Sequence, residues 1–95
     1  MNKKTIIKTL EKAHQLLIDK GWVQGLYEDQ EGKHCAVGAV SKITSNYNLK
    51  KECCAALAAN TEYRNVIIFN DAPGRTKEQV LGLFTRTINR LKKSK

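Results

Sequence analysis

The chain has 95 residues (10.7 kDa), 41% of them hydrophobic and 27% charged, and its 17 Lys and Arg against 9 Asp and Glu give a net charge of +8. That length supports one hydrophobic core and not two, and the longest apolar run, Val66 to Phe69, falls far short of the roughly 20 residues that cross a bilayer. The lysine-rich start is not followed by an apolar secretory region, and three cysteines, two of them adjacent at Cys53 and Cys54, make a poor disulfide framework, so a reducing, cytoplasmic location is expected.

Residues 5–20 read as an amphipathic helix, with Ile6, Leu10, Ala13 and Leu17 at the 3.6-residue period and Gly21 able to supply a left-handed closing conformation. From Trp22 to Lys33 the pattern breaks into a loop or short hairpin, with a turn at Gln30 to Lys33. CAVGAVSKI, residues 35–43, is small and apolar on all sides and reads as a short buried helix, with a strand as the alternative. Ser45 to Asn48 reads as a loop and Lys50 to Asn60 as an alanine-rich third helix. Val66 to Phe69 has strand composition, although an isolated strand so short would need a partner. The last helix is the clearest: Thr76 and Gln79 have capping-box spacing, and Val80, Leu83, Phe84, Thr87, Ile88 and Leu91 form one inward stripe. The expectation is a mainly α, compact single domain over residues 1–95, of about four helices with room for a small β-hairpin, and a frayed basic tail at 92–95.

Ahead of that last helix, Asn70-Asp71-Ala72-Pro73-Gly74-Arg75-Thr76 has a local structural reason for nearly every residue. Asp71 can accept turn amides, Pro73 and Gly74 suit a tight turn, and Thr76 can cap. Asn70 and Arg75 are left over as candidate contacts, Arg75 beside the helix start being suited to an anion. GWVQG (21–25), HCAVGAV (34–40), FNDAPGRT (69–76) and EQVLGLF (78–84) together resemble a family of small bacterial and phage proteins of unknown function, over roughly residues 5–91. The resemblance carries over Trp22, Gln24, Gly25, Cys35, Gly38, Asn70, Asp71, Arg75 and Thr76, and it implies a fold but no mechanism. Members often have tryptophan at the position of Phe69 and a longer loop before the cysteine, so a site depending on either is not expected here. Small phage proteins that inhibit host defences often work by binding, which the resemblance extends to this chain as an expectation.

Cys35 at a helix start is where amides and dipole can stabilise a thiolate, so a cysteine-dependent enzyme is the alternative reading, with His34 or His14 as base and Asn70 or Asp71 as orienting group. Buried, inert cysteine is the simpler account. The histidines and cysteines lack chelating spacing, so neither a metal nor any other cofactor is expected. No carboxylate pair stands out as an acid/base couple.

The excess positive charge lies at the two ends. Residues 1–20 carry five basic and two acidic side chains, residues 21–75 six of each, and residues 76–95 six basic and one acidic. Lys4, Lys8 and Lys12 share one face of the first helix, and Arg86, Arg90 and Lys93 one face of the last; were the two helices adjacent, the ridges could merge into one patch. The reading is therefore a small, non-enzymatic binding protein. Its partner is nucleic acid or an acidic protein surface rather than a membrane, and Lys8, Lys12, Arg75, Arg86, Arg90 and Lys93 are the contact candidates. Self-association stays open.

Overall fold

The structure, a computed structural model, describes residues 2–94. Five helices follow in order: α1 (Lys3–Lys20), α2 (Ala36–Ile43), α3 (Tyr47–Ala58), α4 (Val66–Asp71) and α5 (Lys77–Lys93). Among the described residues there is no sheet, only single bridges of His34 to Trp22 and to Glu28. Of the loop or short hairpin expected from Trp22 to Lys33, the loop is what forms, folded back on itself: Val23 N–H donates to His34 O (3.1 Å), His34 N–H to Gly21 O (3.1 Å), and Asp29 Oδ1 accepts the Glu31 and Lys33 amides across the turn.

Each helix begins on a side-chain cap. Asn2, Cys35, Asn46, Asn65 and Thr76 accept the amides of Thr5, Gly38, Leu49, Ile68 and Gln79, and at α5 the Gln79 side chain returns to the Thr76 amide to complete the capping box. Two expectations fail on this account. Asn46 starts α3 at Tyr47, inside the stretch read as a loop. Asn65 turns the strand-like Val66 to Phe69 into helix α4, because with no neighbouring strand to pair with, the run buries Val66, Phe69 and Asn70 at helical spacing and leaves Ile67 and Ile68 outside. Gly21 closes α1 at φ 105° and ψ 170°, so the positive φ is present but the chain leaves extended rather than left-handed helical.

The core is one cluster. α1 packs mainly on α2 and α5, and α3 and α4 close the remaining side. Leu10, Leu17, Leu57, Val80, Leu83 and Phe84 are fully enclosed, each large apolar side chain contributing roughly 1.5–3 kcal/mol by leaving water. α1 and α5 run antiparallel: Lys3 Nζ donates to Ser94 O, Lys92 Nζ lies 3.1 Å from Glu11 Oε2, and the His14 and Phe84 rings are 6.2 Å apart. Of the tail expected at 92–95, Lys92 and Lys93 are helical, Ser94 caps α5, and residue 95 lies outside the described residues. Among the described residues no helix is long and apolar enough to cross a membrane.

Candidate functional site

Three of the four short sequence segments behind the family resemblance meet at Asn70, and the fourth, residues 78–84, is joined to them through Arg75 and Gln79. The Asn70 side chain is 1% exposed, and all of its hydrogen-bonding capacity is directed at other segments or at its neighbour. Oδ1 accepts Trp22 Nε1–H (2.7 Å) and the Ala36 amide (3.0 Å), while Nδ2 donates to Val23 O (3.3 Å) and to Asp71 Oδ1 (2.9 Å). One amide therefore ties the loop after α1, the first turn of α2 and the end of α4. Gln24 Nε2 extends the join by donating to the Asn70 and Ala72 carbonyls, and Asp71 Oδ1 also accepts the Gly25 amide at 3.0 Å.

Beyond Asp71 the chain makes the expected turn. Arg75 N–H donates to Ala72 O (3.0 Å) around Pro73 and Gly74, whose φ of 78° suits the third position of a type II turn. Arg75 then folds back: Nε donates to Phe69 O (2.7 Å), the guanidinium lies 3.8 Å from the Phe69 ring centre, and Nη1 reaches Gln79 Oε1 (3.3 Å). Asn70 and Arg75, the two residues without a local reason in the sequence, thus both fix α4, the first to the segments at 22–23 and 36 and the second to the start of α5. Phe69 at this position gives the guanidinium an aromatic face.

A pocket of about 270 Å³ opens beside this join, lined by Gly25, Leu26, Tyr27, Cys35, Ile67, Asn70 and Asp71. The alternative catalytic set is only partly assembled there. Cys35, Asn70 and Asp71 share the pocket; His34 lines a separate depression with Glu28, Ser41 and Lys42, and His14 sits in the α1–α5 seam against Phe84. His34 is 2% exposed, with Nε2 3.4 Å from Glu28 Oε1 and neither ring nitrogen in a hydrogen bond, so no hydrogen bond joins it to Cys35. Burial lowers the pKa of His14.

Cys35 Sγ is a helix cap, accepting the Gly38 amide at 3.3 Å. Burial pushes its thiol pKa up, the Gly38 and Val37 amides pull it back in part, and the nearby charge of Asp71 pushes it further up. Desolvation thus outweighs the helix-start effect expected from sequence. Burial likewise raises Cys54, and Cys53 is pushed up to about 12. Among the described residues no group of three or more His, Cys, Asp and Glu is placed to hold a metal ion.

A prediction follows for the thiols. At pH 8 a group at about 12 is roughly 1,000-fold poorer in thiolate than one at the ordinary 9.0, so Cys53 should resist iodoacetamide until the protein unfolds, and Cys35 should react more slowly than a small free thiol. Mass spectrometry of timed samples reads this directly; alkylation of Cys35 at free-thiol speed would contradict its being a protonated cap. Because the folded pKa of Cys53 is raised, the associated stability is present below about pH 9 and is lost as pH climbs towards 12, so the melting temperature should fall on that alkaline side.

The basic residues stand elsewhere. Lys4, Lys8 and Lys12 on α1, and Arg86, Arg90 and Lys93 on α5, are exposed, and none of the six forms an ion pair among the described residues. The helices are adjacent, yet the ridges do not run together. Lys92 is the α5 residue that pairs with Glu11 of α1, and at about 100° per residue it stands across the helix from Arg90. The Arg86, Arg90 and Lys93 ridge therefore leaves α5 on the flank away from that seam. Tyr27, Tyr47 and Tyr63 belong to three different segments.

The chain belongs to a family of unknown function (DUF6197), which it matches over residues 1–90. Comparison with curated proteins and with solved structures gives no match.

Proposed function

We propose that this member of the family is a non-enzymatic binding protein whose ligand is the phosphate backbone of nucleic acid, taken on the exposed cations of α1 and α5. The observation that carries the reading is the state of those cations. Six of them, Lys4, Lys8, Lys12, Arg86, Arg90 and Lys93, lie on outer helix faces without carboxylate partners among the described residues, in a chain of net charge +8. Unpaired lysine and arginine on rigid helices attract phosphates at long range and release counterions on contact, without reading sequence. Arg75 is not part of this surface, since its guanidinium is engaged with Phe69 and Gln79. The cysteine-dependent alternative draws less support, with a protonated cap at Cys35 and neither histidine bonded to it. A phage-type modulator that covers an acidic protein surface would use the same exposed cations.

The test is binding to single-stranded and duplex DNA and RNA at about 50 and about 200 mM salt, where screening of phosphate contacts is steep. Wild type should bind and weaken sharply with salt. Lys8→Glu with Lys12→Glu, or Arg86→Glu with Arg90→Glu, should cost about tenfold or more at the lower salt, whichever pair lies on the ridge that carries the contact. Absence of binding to every nucleic acid at both salts would end the reading and leave an acidic protein surface or Cys35 chemistry to be divided by a pull-down and a thiol-reactivity assay.

A further inference from the structure

We infer that the nucleic acid is single-stranded and lies in the groove between α1 and the α2–α3 corner, a site that rests on the nucleic-acid reading above. The groove encloses about 700 Å³, with Lys4, Lys8 and Lys12 along one wall and Ile43 and Leu49 among its apolar lining. Residues four apart on a helix are about 6 Å apart along its axis, so the three ammonium groups repeat over about 12 Å, a spacing on the scale of successive phosphates in one strand.

The apolar lining decides between single and double strands. A duplex keeps its base faces stacked inside and would touch only the lysines. An unpaired strand can set phosphates on the lysines and lay base faces over the half-buried Ile7 and Ile43 of the lining, gaining contacts that a duplex cannot make. Glu11 also lines the groove, but its carboxylate is held 3.1 Å from Lys92 Nζ, which offsets its charge and leaves the wall positive. Arg86, Arg90 and Lys93 do not line this groove, and the α5 ridge serves as a secondary, sequence-blind contact for either form.

Fluorescence anisotropy with labelled oligothymidylate, oligouridylate and a mixed-sequence duplex of equal length tests this on the full chain. Single strands should bind at least about tenfold more tightly than the duplex. Three phosphate contacts give a salt slope of about −2 for a single strand, hence about a 20-fold loss between 50 and 200 mM. Lys8→Glu with Lys12→Glu should lower single-strand affinity by tenfold or more. Ile43→Ser, its folding checked by circular dichroism, should weaken single strands severalfold and leave the duplex unchanged; the lysine pair, being exposed, keeps the test informative if that variant does not fold. Equal or tighter duplex binding, or single-strand binding indifferent to the lysine reversal, overturns the groove while the nucleic-acid reading stands. Loss of binding to all three probes overturns both.

Discussion

Gly38→Ala is expected to destabilise the protein by about 3 kcal/mol or more, lowering its melting temperature by roughly 12–24 °C. A Cβ at this position of α2 would lie 1.9 Å from Tyr27 O, 2.7 Å from Tyr27 C and 2.9 Å from Tyr27 Cα. All three are backbone atoms and cannot swing aside as a side-chain end can. Relief requires the loop at 24–28 to lift off α2, which breaks the Cys35 N–H to Tyr27 O hydrogen bond (3.3 Å) and strains the Glu28 to His34 bridge and the Gly25 to Asp71 contact. Overpacking alone costs about 1–3 kcal/mol, and loss of the loop's anchoring adds to it, against a total stability of about 5–15 kcal/mol.

Gly82→Ala is the matched control. It sits in α5 with only Arg86 Nη1, the end of a flexible side chain, at 3.6 Å from the added methyl position. Better helix propensity should make it neutral or more stable by up to about 1 kcal/mol. Thermal unfolding followed by circular dichroism separates the two. A Gly38→Ala protein that melts like wild type would mean that the Tyr27 carbonyl does not lie on the first turn of α2.

What sequence reading recovers here depends on how local the cause is. α1 and α5 were legible because an amphipathic stripe and a capping box are statements about neighbours three and four residues away. α4 is not legible because Val-Ile-Ile-Phe has strand composition, and what makes it a helix is the Asn65 cap, with no strand among the described residues to pair with. The start of α3 was hidden because Asn46 looks the same in a loop as in a cap. The role of Asn70 was out of reach of any window, since its Oδ1 partners lie 48 and 34 residues away. The basic ridges were visible at the helical period, whereas their separation rests on which flank of α5 meets α1, a tertiary fact carried by the Lys92 to Glu11 pair. Cys35 shows the same limit in its chemistry: its helix-start position is readable, and the burial that reverses its effect is not.

Asn70 is the second position where a single change should have a large effect, and two substitutions there separate its parts. Asn70→Ala leaves the Trp22 indole N–H, the Ala36 amide and the Val23 carbonyl without their partner in partly to fully buried surroundings. At about 1–3 kcal/mol for each buried group left unpaired, offset by partial access of water, the expected loss is about 3–5 kcal/mol. Asn70→Asp keeps an oxygen for Trp22 and Ala36 but replaces the donor that serves Val23 O and Asp71 Oδ1 with a second acceptor, and buries a charge at a site 1% exposed. Burial and the adjacent carboxylate would raise the pKa of the introduced acid, so its protonated form, which restores a donor, is the one the fold tolerates. The sign follows: relative to wild type, the deficit is largest at neutral pH and shrinks as pH falls towards the ordinary carboxylate range, while the deficit of Asn70→Ala changes little over the same interval. Trp22 is the chain's single tryptophan and loses its indole hydrogen bond only in the alanine variant, so an emission shift at neutral pH in that protein, paired with pH-dependent melting in the aspartate variant, would identify one amide as the joint between three segments. Pocket and loop geometry at 24–27 depend on that joint directly, whereas the lysine wall of α1 stands outside it. A folded Asn70→Ala protein should therefore retain its nucleic-acid affinity even as its melting temperature falls, which keeps the stability of this end and the binding by the other surface independently measurable.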